Sequence, residues 1–105
     1  MKIECIRTYH LRNKLEQPFG FSQWYYDTRN SLLVEIVADD GTTGWGECYG
    51  PAEVYQAAIT SFYGPRLMGL DPSVIDRIWH QMWQWSLDFA RGGIMMGAMS
   101  GLDMA

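Results

Sequence analysis

The sequence predicts an α+β domain in which a three-stranded antiparallel meander is followed by a small helical bundle. Two observations support this fold class. The first half of the 105-residue chain contains alternating and β-branched apolar runs, and the second half contains apolar residues at spacings of three and four. The length suits one domain, residues 1–105, able to bury roughly two thirds of its unfolded surface.

The three strands are predicted in the first half of the chain. Residues 31–38 are rich in Val, Ile and Leu, and residues 39–41 (Asp-Asp-Gly) then supply a turn because glycine tolerates positive φ. Residues 42–47 return as a short third strand. The first strand covers residues 3–11, interrupted by Arg7. Its apolar residues are expected on one face: Ile3, Cys5, Tyr9 and Leu11.

Two helices are predicted next. Pro51 suits the first position of one helix, which is expected to end at Gly64-Pro65. Asp71 is a good N-cap for the other, which is expected to continue to Gly92-Gly93. The first helix carries apolar residues at helical spacing: Tyr55, Ala58, Ile59 and Phe62. The second carries a longer stripe: Ile75, Ile78, Trp79, Met82, Ser86 and Phe89.

A last helix is predicted from residue 93 to residue 105, and no residue suited to C-capping closes it. Gly93, Gly97 and Gly101 recur every four positions, so they share one face and allow another backbone to approach closely. Two interpretations follow. The segment is either the frayed final helix of a small domain or part of a larger protein, and we favour the second.

The connection between the first two strands is unusually long. It has seventeen residues, 12–28, whereas hairpin loops usually have about two to five. Disordered segments are poor in aromatic residues, so this loop is expected either to pack on its own domain or to form a lid. We favour a lid, because so small a domain has little core left to receive five rings. These rings are Phe19, Phe21, Trp24, Tyr25 and Tyr26.

Composition excludes several classes of function. The net charge is −4 and the basic residues are scattered, which argues against a nucleic-acid partner. No signal peptide or membrane-spanning run is recognisable. Two cysteines are too few for a disulfide framework, so we expect reduced thiols in a cytoplasmic protein. The aromatic content, 14% with five Trp, indicates more binding surface than a self-contained domain needs.

No residues have the spacing of a catalytic or metal-binding motif. His10 and His80 are expected to be ordinary surface histidines, and Cys48 a structural thiol. A binding surface is still predicted, because the long loop and the segment that leaves the third strand both lie at one end of a meander. In that segment Glu47 and Tyr49 are candidate ligand contacts. A solvated strand-end carboxylate and a ring packed on the first helix are equally open alternatives.

Four phrases in order carry a resemblance to a known family: KIECIRTYHLRNKLEQPF, SLLVEIVADDGTTGWGECYGP, GLDP and AMSGLDMA. The most specific part is the strand–turn–strand VEIVADDGTTGWGE, followed after about fifty residues by SGLDMA. Together they resemble the N-terminal domain of the mandelate racemase and muconate lactonizing enzyme family, within the enolase superfamily. The resemblance covers essentially the whole chain.

The resemblance implies a capping domain over a modified (β/α)7β barrel, which is expected after residue 105. In such enzymes the barrel holds Mg²⁺ and the acid/base residues that remove a proton next to a carboxylate. No catalytic residue and no metal ligand is then expected in this chain, which would be inactive alone. The implied partners are the barrel of the same polypeptide, a small carboxylate substrate such as a sugar acid, and further copies in a homo-oligomer.

The resemblance also assigns the two specificity segments. Arg12–Thr28 matches the mobile first loop, and Glu47–Glu53 matches the shorter second loop. The expected substrate-facing walls are Phe19, Trp24 and Tyr25, and the candidate polar contacts are Glu47 and Tyr49. Racemases, cycloisomerases and acid-sugar dehydratases share this cap, and we favour a dehydratase. The alternative is a stand-alone binding or oligomerisation module whose surface carries three tryptophans: Trp79, Trp83 and Trp85.

Overall fold

A computed structural model describes all 105 residues and confirms the α+β class. One antiparallel sheet has the strand order β1-β2-β3, and the helices cover one of its faces. The strands are β1 (Ile3–Phe21), β2 (Trp24–Ala38) and β3 (Thr43–Cys48). The helices are α1 (Ala52–Ala57), a π-helical stretch (Ala58–Tyr63), α2 (Gly64–Leu67), α3 (Ile75–Trp85) and α4 (Ile94–Met104).

The core lies between β2 and the helices. Alternate residues of β2 face the helices and are buried: Leu32, Val34, Ile36 and Ala38. On β3 the neighbours of this row are Gly46, paired with Val34, and Cys48, paired with Leu32. The predicted second strand therefore lies within β2, and the predicted third strand is displaced from β3 by one residue at each end. Period-2 burial fixes which face of β2 meets the helices.

The predicted face of β1 is wrong at its start. Ile3 pairs with Ala38 and Cys5 pairs with Val37, so Glu4 is an extra residue in a β-bulge. The bulge shifts the alternation by one position. Ile3 and Ile6 consequently face the helices, whereas the residues after the bulge that were expected beside Ile3 lie on the opposite face: Cys5, Tyr9 and Leu11.

The predicted long loop is also wrong, because residues 12–28 continue the two strands as a hairpin with a two-residue turn at residues 22–23. We call residues 12–30 the aromatic hairpin. Its pairing is interrupted once, where residues 15–18 stand opposite Asp27 alone. Pro18 lies in this interruption, where its missing N–H removes no ladder hydrogen bond. A proline inside a polar stretch hides the strand pattern in the sequence.

The first helical segment runs past its predicted end at Gly64-Pro65. The π-helical stretch changes the hydrogen-bond register, and the Gly64 N–H donates to the carbonyl of Ile59 five residues earlier. Pro65 then lies in the first turn of α2, where a proline is tolerated because no N–H is needed. Helix α2 ends at Leu67, and Gly69 follows with φ of 80°.

Helix α3 is shorter than predicted at both ends. The Asp71 carboxylate does not cap it but accepts hydrogen bonds from the N–H and O–H of Ser73, at 3.0 and 2.7 Å. At the other end Ser86 leaves the helical conformation, and its buried hydroxyl accepts from Tyr63 and donates to the carbonyl of Met82. The predicted stripe is buried only in its centre, and Ile75 is exposed.

The glycine face of α4 provides the close approach that the sequence predicts, and the approaching backbone belongs to the same chain. A Cβ on Gly46 of β3 would lie 1.9 Å from the carbonyl oxygen of Gly101, and one on Gly101 would lie 2.3 Å from Cys48 Sγ. Ala98 and Leu102 are buried. The predicted three-glycine face is wrong at its start, because Gly93 precedes the helix with φ of 66° and an added Cβ there would meet nothing within 4 Å.

Neither cysteine forms a disulfide: Cys5 is half-buried and Cys48 is buried. Burial raises the pKa of the Cys48 thiol above its ordinary value, which disfavours the reactive thiolate. None of the helices combines the length and the apolar character needed to cross a membrane.

Candidate functional site

A cleft of about 430 Å³ lies between the aromatic hairpin and the start of α1. One wall is the connection from β3 into α1, residues 49–53. The other wall consists of side chains of the hairpin: Leu15, Phe19, Tyr26, Thr28, Arg29 and Asn30. The two segments predicted to form a binding surface therefore meet in one cleft.

The alternation of β2 explains why the hairpin lines this cleft. Side chains two residues apart on a strand share a face, and Leu32 is the first buried residue of the inner face. Counting back in twos gives Asn30, Thr28 and Tyr26, all of which line the cleft. Phe19 joins them because it pairs with Tyr26 across the hairpin. The inner face of the sheet thus continues beyond the helices as a wall of the cleft.

Tyr55 fixes the opposite wall. Its hydroxyl donates to the backbone carbonyl of Tyr49 at 2.6 Å. Gly50 has φ of 134°, and a Cβ there would lie 2.7 Å from the Tyr55 ring, so a side chain is excluded by both conformation and space. The backbone of this turn is therefore held in place, while the Tyr49 side chain is 81% exposed.

A polar group at the edge of the cleft joins the sheet to α1. His10 Nε2 lies 2.9 Å from Asn30 Oδ1, and His10 Nδ1 lies 4.0 Å from Glu53 Oε1. An amide oxygen can only accept, so Nε2 carries the hydrogen. Beside this group Gln56 donates to Thr8 at 3.0 Å. The prediction that His10 is an ordinary surface histidine is wrong, because the ring is half-buried and orients the Asn30 amide.

The cleft contains two charged side chains, Arg29 and Glu53. The Arg29 guanidinium carbon lies 4.7 Å from the centre of the Phe19 ring, in a cation–π contact. Arg29 takes part in no ion pair, whereas Glu53 has His10 beside it. The cleft therefore holds one positive and one negative side chain, and Glu53 gains an opposite charge only when His10 is protonated.

The structure brings only part of the predicted residue set together. Phe19 and Tyr49 line the cleft. Trp24 and Tyr25 lie at the hairpin tip, outside the cleft lining, and are 61% and 67% exposed. Glu47 lies on the opposite face of the sheet and accepts a hydrogen bond from the Ser31 hydroxyl.

Glu47 is absent from the cleft because of strand alternation. Its neighbours Gly46 and Cys48 face the helices, which turns the Glu47 side chain the other way. Arg29, Asn30 and Tyr26 were not among the predicted ligand contacts. Counting backwards in twos from the buried Leu32 is the signal that would have found the last two.

A second polar cluster lies on the sheet face that carries Glu47. The Glu35 carboxylate accepts hydrogen bonds from Tyr9, at 2.7 Å, and from Arg7, at 3.1 Å. The Tyr9 hydrogen bond is the main reason that the pKa of Glu35 is lowered, and the same bond raises the pKa of Tyr9. The Trp45 ring covers Tyr9, with 5.6 Å between ring centres. This cluster lies on the opposite face of the sheet from the cleft.

No three His, Cys, Asp or Glu side chains are grouped so that they could hold a metal ion. The residues of this chain therefore do not fit a metal centre. A smaller cavity of about 160 Å³ is lined almost entirely by apolar side chains, among them Leu67, Met82 and Leu102. It offers few polar groups for chemistry.

The family follows from comparison with known proteins. Residues 3–105 match the sequence model described as mandelate racemase / muconate lactonizing enzyme, N-terminal domain. The chain belongs to this family. This finding confirms the predicted family, and the two enzymes compared next agree with it.

The D-galactarolactone cycloisomerase of Agrobacterium fabrum is 41% identical over 105 residues, which are all of this chain and 28% of that enzyme. The D-galactonate dehydratase of Variovorax paradoxus is 39% identical over 77 residues, covering 70% of this chain and 19% of that enzyme.

Solved structures confirm the predicted cap fold. The 3,6-anhydro-D-galactonate cycloisomerase of Zobellia galactanivorans superposes with a TM-score of 0.84 at 37% identity, over 97% of this chain and 26% of that one. A Streptomyces coelicolor racemase with bound magnesium superposes with a TM-score of 0.87 at 27% identity, over 96% of this chain and 29% of that one. The chain thus spans less than a third of the length of each of these four proteins.

Proposed function

We propose that residues 1–105 are the substrate-specificity cap of an enolase-superfamily enzyme whose catalytic barrel lies on the same polypeptide. The observation that carries this proposal is the cleft itself. The two segments that the family resemblance assigns to substrate selection, Arg12–Thr28 and Glu47–Glu53, meet there. Tyr55 holds one of them in place and strand pairing holds the other.

The exposed rings of the aromatic hairpin support the lid interpretation. Phe21, Trp24 and Tyr25 are more than half exposed, so their own domain does not use them as core. Rings of this size contribute strongly when another surface covers them. A barrel beneath the hairpin would bury these rings and exclude water from a bound substrate.

The chemistry of the cleft fits a polyhydroxylated acid. Its lining offers the hydroxyls of Thr28, Tyr26 and Tyr49, the Asn30 amide and the Arg29 guanidinium, beside the flat Phe19 ring. Two relatives are named for D-galactarolactone and D-galactonate, and a sugar acid is the substrate class we propose here.

The proposed reaction class is removal of a proton next to the substrate carboxylate, as in a racemase, a cycloisomerase or, our preference, an acid-sugar dehydratase. The base and any Mg²⁺ would be held by the barrel, since residues 1–105 form no metal centre. The role of this chain would be to bind and orient the remainder of the substrate. A cytoplasmic location and a homo-oligomeric state stay predictions.

The alternative of a stand-alone oligomerisation module receives less support. It requires Trp79, Trp83 and Trp85 to form a free surface. All three are only partly exposed and pack against the core, and Trp79 stacks on Trp83 with 6.0 Å between ring centres. The aromatic hairpin is the larger exposed surface, and it lies next to the cleft.

The test compares the full-length protein with residues 1–105 alone, using D-galactarolactone, galactarate and D-galactonate with added Mg²⁺. We expect turnover of at least one compound by the full-length protein and none by the cap, whose folding is checked by circular dichroism. In the full-length protein Phe19→Ala should lower kcat/KM about tenfold, equal to roughly 1.4 kcal/mol of lost ring contact.

Trp45→Ala is the matched control, because Trp45 is an exposed ring on the opposite face of the sheet. It should leave kcat/KM unchanged. A full-length polypeptide whose intact mass leaves no room for a barrel, or one that converts none of the acids, would overturn the proposal.

A further inference from the structure

Arg29 is the positive group of the cleft, and it has no ion-pair partner in its own domain. Glu53, the other charged residue in the lining, has the His10 ring beside it at 4.0 Å. Arg29 forms neither an ion pair nor a side-chain hydrogen bond. Its guanidinium therefore keeps five N–H donors for a ligand.

The Arg29 side chain is oriented by its neighbour rather than by a carboxylate. The Phe19 ring lies 4.7 Å from the guanidinium carbon, and a planar cation stacked on a ring keeps its edge free for bidentate hydrogen bonds. The backbone of Phe19 is held by strand pairing with Tyr26. Such an arrangement suits a carboxylate, whose two oxygens match the spacing of the guanidinium donors.

A second donor lies beside Arg29 on the same strand. The Asn30 side-chain oxygen accepts a hydrogen bond from His10 at 2.9 Å, so the amide oxygen is occupied and the amide NH₂ group is not. The Asn30 NH₂ group remains without a partner in its own domain, and Asn30 lines the cleft. The lining of the cleft thus offers two side chains that donate hydrogen bonds and cannot act as bases.

We propose that Arg29, assisted by Asn30, binds a second anionic group of the substrate, at the end remote from the reacting carboxylate. This inference rests on the proposed function. Because the cap groups no side chains that could hold a metal ion, the reacting end would lie in the barrel and the cap would meet the other end. Substrates with a distal carboxylate are therefore preferred over otherwise identical compounds that end in a neutral group.

The experiment uses two matched pairs of probes with the full-length protein. Galactarate and D-galactonate differ only at C6, which is a carboxylate in the first and a hydroxymethyl group in the second. The second pair consists of dipeptides instead of sugar acids: L-Ala-L-Glu has a distal carboxylate where L-Ala-L-Gln has an amide. Dissociation constants are measured by calorimetry, and kcat/KM is measured for every compound that is converted.

The variant is Arg29→Gln, and the matched control is Arg77→Gln, an exposed arginine on α3 outside the cleft. We expect the wild type to prefer the distal carboxylate in at least one pair. Arg29→Gln should weaken binding of that acid roughly 10- to 100-fold, the usual effect of losing a charged hydrogen-bonding partner, and change its neutral counterpart less than about twofold. Arg77→Gln should change neither.

The outcomes separate this inference from the proposed function. A distal-carboxylate preference found only in the dipeptide pair, and lost in Arg29→Gln, would refute a sugar-acid substrate and support the role of Arg29. No preference in either pair would overturn the role of Arg29 even if the sugar acids are converted. An equal loss on both members of a pair would also overturn it, because a merely structural arginine would weaken both compounds alike.

Discussion

The two ends of the β1–β2 ribbon use similar residues in opposite ways. Beneath the helices, Leu32 and Val34 are completely buried. In the aromatic hairpin, Phe19, Trp24 and Tyr25 are each more than half exposed. Both ends belong to the same two hydrogen-bonded strands. The helices of this domain therefore cover the apolar residues at one end of the ribbon only. The apolar residues of the aromatic hairpin have no such cover within residues 1–105.

The largest expected effect is a difference in the stability that is lost when a large side chain is removed from either end of the ribbon. Leu32→Ala should lower the free energy of unfolding by about 2–5 kcal/mol, because it opens a cavity in a packed core. Trp24→Ala removes a larger side chain but should cost no more than about 0.5 kcal/mol, since the ring is mostly exposed. Urea denaturation of residues 1–105 measures both, and similar losses would show that the hairpin belongs to the core.

A smaller difference is expected between two glycines. A Cβ on Gly46 would lie 1.9 Å from the Gly101 carbonyl oxygen, and a Cβ on Gly20 would lie 2.0 Å from the Trp24 carbonyl oxygen. Gly46→Ala must force α4 away from β3, so we expect a loss of about 1–3 kcal/mol. Gly20→Ala should disturb only the hairpin tip and shift global stability by less than about 0.5 kcal/mol.

Amide hydrogen exchange locates the Gly20→Ala change. Faster exchange confined to the hairpin is expected, because a two-stranded ribbon is marginally stable without further packing. Faster exchange throughout β2 would contradict a boundary between the two regions.

The smallest expected effect concerns pH and the outer face of the sheet. Hydrogen bonds from Tyr9 and Arg7 lower the pKa of Glu35. The unfolded chain thus takes up this proton at a higher pH than the folded protein does. The contribution of Glu35 is present above the ordinary glutamate pKa of about 4.3, and it is lost as the pH falls through the lower folded value.

Glu35→Gln should therefore flatten the pH dependence of stability in this acidic range, compared with the wild type. Denaturation series between neutral and acidic pH give the comparison. A slope for Glu35→Gln that equals the wild-type slope would contradict this role of the carboxylate.

The sequence predicts the buried end of the ribbon well and the hairpin poorly. The Val, Ile and Leu run of residues 31–38 and the Asp-Asp-Gly turn identify the end of β2 and both ends of β3 to within one residue. Strand β2 nevertheless begins earlier than predicted, at Trp24. The hairpin was missed because residues 15–18 stand opposite one residue, and such a bulge interrupts any periodic pattern. The Glu4 bulge likewise reversed the predicted face of β1.

The site was predicted in outline only. Phe19 and Tyr49 were reached because both segments leave the same end of the sheet. His10 and Asn30 were missed, because their hydrogen bond depends on the pairing register of β1 and β2. Arg29 was missed because its stacking on Phe19 exists only once the hairpin is formed. Contacts across strands require a register that alternation within one strand cannot supply.

The Tyr55 ring lies between helix α4 and the turn that forms one wall of the cleft. On one side it touches Gly50, and on the other it touches Gly97, where an added Cβ would lie 2.4 Å from the ring. Neither contact leaves room for an added atom between the glycine and the ring. A shift of α4 would therefore push or release this ring, and the ring would carry the displacement to the Tyr49 carbonyl that it holds. An alanine at Gly97 would therefore displace the ring that holds one wall of the cleft.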